Sequence, residues 1–132
     1  MVDWINYPAV FTYESDGISV RFPNVEGCFT CGDNTEEAIR NAKEALGLHL
    51  YGMEVESQEL PVSSKLQDIY TEENEALVII EVYMPAYRDN IRNKSVKKTL
   101  TIPKWLNDLG EENRINFSKV LQDALKKYLG VD

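Results

Sequence analysis

Gly17 to Leu46, GISVRFPNVEGCFTCGDNTEEAIRNAKEAL, passes from a strand's periodicity to a helix's. Ile18, Val20 and Phe22 alternate with Ser19 and Arg21, the period-two signature of a half-buried strand. Pro23-Asn24-Val25-Glu26-Gly27 is a turn, and the short apolar run Cys28 to Cys31 reads as another strand. Gly32-Asp33-Asn34 then breaks the sheet. Asn34 can cap a helix, with Glu37 as its capping-box partner. From there the period lengthens. Ala38, Ile39, Ala42, Ala45, Leu46, His49 and Leu50 recur at helical spacing, so one face of a helix packs on the sheet. Gly47 lowers helix propensity late in the run, and Gly52 is the expected stop.

On the N-terminal side, Ile5, Tyr7, Ala9, Phe11 and Tyr13 form the apolar face of a strand over residues 4–14. Ser15-Asp16-Gly17 is the hairpin turn that joins it to the next strand. On the C-terminal side, residues 54–75 are polar, acidic and contain Pro61; they are expected to be mostly loop, with a short helical turn within Ser64 to Tyr70. Ala76 to Met84, ALVIIEVYM, is apolar at nearly every position. That pattern predicts a strand buried on both faces and central in the sheet. Residues 1–84 thus read as a βββαβ module, one helix against a sheet, in the α+β class.

Residues 85–94, opening with Pro85-Ala86-Tyr87-Arg88-Asp89-Asn90, read as a linker, because the sign of the charge changes there. The overall net charge of −8 is an average of two unlike halves. Residues 1–87 hold four basic and sixteen acidic side chains, a net of −12, whereas residues 88–132 hold ten basic and six acidic ones, a net of +4. Such asymmetry predicts two partners of opposite sign. The acidic half repels nucleic acid and attracts a basic protein; the basic half does the reverse.

Residues 95–132 form a second module. Val96, Leu100 and Ile102 alternate with Lys97, Thr99 and Thr101, predicting a strand that Pro103 ends. Trp105, Leu106, Leu109 and Ile115 mark a first helix, closing near Gly110 to Asn113. Asn116 caps a second, whose stripe is Val120, Leu121, Ala124, Leu125, Tyr128 and Leu129 and whose stop is Gly130. One strand and two helices are too little for an independent core. A second copy of the same segment would supply the missing half, its strand pairing with its mate as an antiparallel ribbon. The outer face of that ribbon, Lys97, Thr99 and Thr101, suits a DNA major groove. Asn116 to Lys119, including Ser118, offers helix N-terminal N–H groups to a phosphate. Lys94, Lys98 and Lys104 add nonspecific attraction. The bland alternative is a solvated edge strand guarded by lysines.

The pattern KKTLTI, a proline, a short LG–EENR turn and then N-F-S-x-x-L-x-x-A-L-x-x-Y resembles the ribbon-helix-helix family of dimeric repressors. On that resemblance Lys97, Thr99 and Thr101 fall on the base-reading positions; Pro103 shortens the strand relative to many members. The N-terminal module carries a more specific resemblance. Phe22, Pro23, Gly27, Cys28, Thr30 and Gly32, followed by Glu36, Glu37, Ala38, Ala42, Glu44, Ala45 and Leu46, match the HicB antitoxin signature, F-P-(D/N)-x-x-G-C-x-T-x-G and a capped helix. The later LPVSS is similar to the family's segment after the helix. Asn34 stands where many members have Thr, and both cap helices. The resemblance implies a degenerate ribonuclease-H-like fold and an antitoxin role. Its partner would be a small, basic, HicA-type mRNA-cleaving toxin, bound at residues the sequence does not identify, and a homodimer or higher oligomer would bind operator DNA. The alternative is a stand-alone repressor with a ligand-sensing N-terminal module.

No apolar run approaches the roughly 20 residues that span a bilayer. Two cysteines, and an N-terminus without signal-peptide blocks, predict a reducing, cytoplasmic location. Cys28-Phe29-Thr30-Cys31 has C-x-x-C spacing, but one His and no other Cys leave a zinc site short of ligands. Strand alternation puts the two thiols on opposite faces. His49 lies on the helix's apolar stripe and reads as structural. Two-metal hydrolysis needs converging carboxylates; Asp3, Glu14 and Glu81 are scattered, and Glu36 and Glu37 serve the helix start. No catalytic residue, metal or cofactor is therefore assigned.

Overall fold

The computed structural model describes residues 3–88 and 95–131. Two compact units divide the chain, Met1–Arg92 and Asn93–Asp132. In the first, alternation produces a four-stranded antiparallel sheet in the order β3-β2-β1-β4. Its strands are β1 (Trp4–Glu14), β2 (Gly17–Arg21), β3 (Phe29–Gly32) and β4 (Glu75–Tyr83). The pairing of Phe11 with Val20 and Ala76, and of Tyr7 with Ile80, aligns the inward side chains across strands. Tyr7, Ala9, Phe11, Ile18, Val20, Ile80 and Val82 are buried together under α1 (Thr35–Val55).

The helix starts where Asn34 allows it. The Asn34 side chain accepts the Glu37 N–H at 2.9 Å. The Glu37 carboxylate reaches back to the Asp33 N–H at 3.3 Å, one residue before the usual capping-box donor. Ala38, Ala42, Leu46 and Leu50, four apart, are fully buried against the sheet. The helix does not stop at Gly52. Nothing crowds that position, and the helix continues to Val55 before Ser57 turns left-handed at φ 56°. The loop that follows contains a single 3₁₀ turn, Leu66–Asp68.

Two elements differ from what the sequence pattern predicts. First, β4 is an edge strand and not central. Its inward residues Ile80 and Val82 are buried, whereas Ile79 on the other face is exposed. The long apolar run misled because its outward positions Leu77 and Ile79 are apolar without being covered on both sides. Second, Pro85 to Arg88 are not a free linker. Met84–Ala86 form a 3₁₀ turn with Met84 and Pro85 buried. The Tyr87 ring lies over Gly47, where an added Cβ would sit 2.5 Å from two ring carbons. Gly47 is therefore in mid-helix because only hydrogen fits beneath that ring. Arg88 is buried as well. The module expected over 1–84 thus extends through its first four linker residues, and Asp89 to Lys94 lie outside the described residues.

The second unit holds α2 (Lys104–Glu112) and α3 (Phe117–Leu129). Its turn is tight. Gly110 is buried, and an added Cβ would meet the Phe117 ring at 2.7 Å. Arg114 is left-handed at φ 54°, and the Ile115 N–H donates to the Gly110 carbonyl at 3.1 Å. The strand expected from Ser95 to Ile102 is not formed within the single chain: these residues carry no ladder and all are exposed. A strand exists only through hydrogen bonds to a neighbour, and the described residues of this unit supply none.

Candidate functional site

The second unit leaves its apolar groups in the open. Leu100, Trp105, Leu106, Leu109, Val120, Leu125 and Leu129 are all exposed, at 42 to 67 % of their full area. Beside them run Lys97, Thr99 and Thr101, also exposed. Lys97 and Lys98 have no ion-pair partner among the described residues, whereas Lys104 pairs with Asp108 and Lys119 with Asp123, both at 2.7 Å. Asn116 caps α3 by accepting the Lys119 N–H at 3.0 Å. Ser118 accepts from Gln122 at 3.0 Å. Asn116 and Ser118 are thus partly engaged in holding the helix start. Lys94 lies outside the described residues.

The first unit presents acids. Glu75 opens β4 and is held by three donors: the Glu72 N–H at 2.9 Å, the Thr12 hydroxyl at 2.6 Å and Arg21 at 3.5 Å. The Glu72 N–H, then the Thr12 hydroxyl, keep its carboxyl below the usual carboxylate range. At the far end of the sheet Arg88 forms two hydrogen bonds with Glu54, at 2.9 and 3.0 Å, and one with Asp3 at 3.2 Å. Hydrogen bonding to Arg88 holds Glu54 below its ordinary value. This cluster ties the start of β1, the end of α1 and the end of β4 together. No local signal announces it, because its members are far apart in sequence and the arginine sits at a charge boundary.

The scattered carboxylates stay scattered. Asp3 is committed to Arg88, Glu14 ends β1, and Glu81 lies on β4. Among the described residues no group of three or more His, Cys, Asp or Glu side chains could hold a metal ion. Cys28 is buried and Cys31 exposed, and they are not bonded to each other. Burial pushes the Cys28 thiol up to about 11, far from a reactive thiolate. His49 is half-buried beside the Gly27 turn.

Residues 7–122 match the model of the family described as HicB_like antitoxin of bacterial toxin-antitoxin system. A protein of Haemophilus phage HP1, an uncharacterized 14.9 kDa protein in the rep-hol intergenic region, is 34% identical over 100 residues, spanning 76% of this chain and 74% of its own. Among solved structures, a toxin-antitoxin complex from Streptococcus pneumoniae contains a chain similar at TM-score 0.60 and 28% identity, covering 95% of this chain and 99% of that one. The antitoxin HicB of Burkholderia pseudomallei shares the mixed α+β fold at TM-score 0.56 and 16% identity, over 95% of this chain and 98% of its own.

Proposed function

The chain belongs to the HicB-like antitoxin family of bacterial toxin-antitoxin systems, and from that premise we propose that it has two binding tasks. Its acidic N-terminal unit binds and neutralises a small, basic, HicA-type mRNA-cleaving toxin. Its C-terminal unit dimerises as a ribbon-helix-helix and binds operator DNA, so that the chain represses its own operon. Under this reading the N-terminal layer is a degenerate ribonuclease-H-like sheet used for binding, and nothing is turned over. The location is cytoplasmic, where both toxin and DNA are met.

The observation that carries the proposal is the contrast in closure and charge between the units. The acidic unit buries its own core; the basic unit leaves the apolar stripes of α2 and α3 exposed beside Lys97, Thr99 and Thr101. A second copy would cover those stripes and give residues 95–102 a strand to pair with. Two copies of Lys97, Thr99 and Thr101 would then line one ribbon face. The relative solved from Streptococcus pneumoniae is itself a toxin-antitoxin complex, which supports a toxin partner. Opposite charge would speed that association and make it salt-sensitive.

Co-expression with a small, basic, HicA-type toxin tests the toxin half: a complex that relieves growth arrest is expected. Recovery of homodimer alone, with growth arrest unrelieved, favours a stand-alone repressor. For the DNA half, Lys97→Ala and Thr99→Ala are expected to abolish the gel shift of the upstream operator fragment while toxin binding persists. Full operator affinity in both variants overturns the ribbon assignment.

A further inference from the structure

The sheet of the N-terminal unit has two edges, and they are built differently. β3 is four residues long, and Asn41 of α1 donates to the Cys31 carbonyl at 2.8 Å, so a helix side chain occupies part of that edge. β4 is nine residues long. It pairs with β1 without interruption from Trp4 opposite Tyr83 to Thr12 opposite Glu75, and has no strand on its other side among the described residues. Natural edges of this length are blunted by lysine, proline, a bulge or a short strand. EALVIIEVY has no lysine and no proline, and its continuous register contains no bulge.

The side chains that flank this edge point to a purpose for it. Ile79, at the middle of the strand, is 46% exposed. Toward the strand end, the rings of Tyr83 and its cross-strand partner Trp4 pack with centroids 4.9 Å apart, and Trp4 is exposed. Glu81 lies between them and Ile79 on the same face, and is exposed. Glu72 and Glu73 stand just ahead of the strand, also exposed. A long backbone edge whose only charges are acidic, an apolar centre and an acidic rim occur together.

We infer that β4 is where a basic protein partner docks, by adding one of its own strands to this edge. The main chain of β4 supplies the ladder, Ile79 and the Trp4–Tyr83 pair supply the apolar anchor, and Glu81, Glu72 and Glu73 supply charge complementarity. The inference rests on the toxin-partner reading and names where that partner sits. A second copy of this chain is the poorer occupant, since residues 1–87 carry a net charge of −12 and two such surfaces repel.

Backbone amide exchange of the full-length chain, alone and with a small, basic, HicA-type toxin, tests this directly. Added protection of the β4 amides that point away from β1 is expected only in the complex, with β3 unchanged. Ile79→Lys is expected to weaken the complex roughly 100-fold, as loss of a central anchor does, and Ile79→Thr, which keeps a β-branched side chain, roughly tenfold. Phe29→Lys at the opposite edge is expected to leave affinity unchanged, and thermal melts of all three should match the parent. A complex of unaltered affinity with Ile79→Lys, and β4 amides that exchange as fast as in the free chain, would overturn the docking site while leaving the toxin reading intact. Absence of binding by the parent chain would overturn both. Protection of β4 without partner, rising with chain concentration, would replace the inference with self-pairing.

Discussion

The two units of this chain solve the problem of burial in opposite ways. The N-terminal unit closes within one molecule: Phe11, Leu46, Leu50, Ile80 and Met84 are fully buried between one helix and one sheet. The C-terminal unit, with two amphipathic helices, buries only Gly110 among its described residues. Domains of fewer than about 40 residues rarely hold a core alone and lean on oligomerisation, metals or disulfides. The first unit thus closes over its own core, and the second leaves its apolar stripes uncovered.

The largest expected effect follows from that difference. Phe11→Ala removes a wholly buried ring and should cost about 3–5 kcal/mol in urea unfolding of the N-terminal transition, at every protein concentration. Leu125→Ala, in the open unit, should instead lower a transition whose midpoint rises with protein concentration, as subunit binding requires. A concentration-independent midpoint for the C-terminal transition would mean that this unit is stable alone and that the two units close in the same way.

Next in size is Gly47→Ala. Helix propensity favours alanine by about 1 kcal/mol, yet the new methyl would lie 2.5 Å from the Tyr87 ring. Overpacking of this kind costs about 1–3 kcal/mol, so net destabilisation is expected. The double variant Gly47→Ala with Tyr87→Ala should recover part of the loss of the Gly47→Ala chain's helix packing. Strict additivity in that cycle would mean that Tyr87 does not rest on the helix, and that the closed unit ends earlier.

Glu54 and Arg88 sharpen the boundary between the units through pH. Hydrogen bonds from Arg88 lower the folded-state value of Glu54. A lowered value means that the pair's stabilisation is complete above the ordinary Glu range, about 4.3, and is lost as pH falls through the folded value. Glu54→Gln should therefore cost about 1–2 kcal/mol near neutrality, with the difference from the parent shrinking to nothing in strong acid. Chemical denaturation across that range measures it. A constant difference would show that the charge is not what matters.

What the sequence discloses tracks how local each cause is. The strands β1 and β2 and the Asn34 cap are legible because alternation and capping act between near neighbours. The position of β4 is not, since an apolar run says that both faces avoid charge without saying what lies against them. Tyr87 reads as linker because Gly47, the residue that makes room for it, lies a whole strand and helix away. Gly52 reads as a stop, yet glycine merely permits one. Residues 95–102 have a strand's pattern and no strand, because the described residues offer them no hydrogen-bond partner. Lys97, Thr99 and Thr101 are legible as a basic, threonine-rich strip; contact with DNA is a property of a complex.

The smallest expected effect lies in the turn of the open unit. Arg114 holds φ 54° between α2 and α3, a region in which a Cβ crowds its own backbone at a cost of about 1–2 kcal/mol. Glycine removes that crowding but has more freedom to lose on folding, by roughly 0.5–1 kcal/mol. The two nearly offset, leaving Arg114→Gly stabilising by about 0.5 kcal/mol. The gain should appear in the C-terminal transition alone, at fixed protein concentration, while the N-terminal midpoint stays put. Arg114→Val, which cannot relax at positive φ, should shift the same transition downward. If both variants moved the two transitions together, the units would unfold as one body, and the contrast between a closed unit and an open one would have to be abandoned.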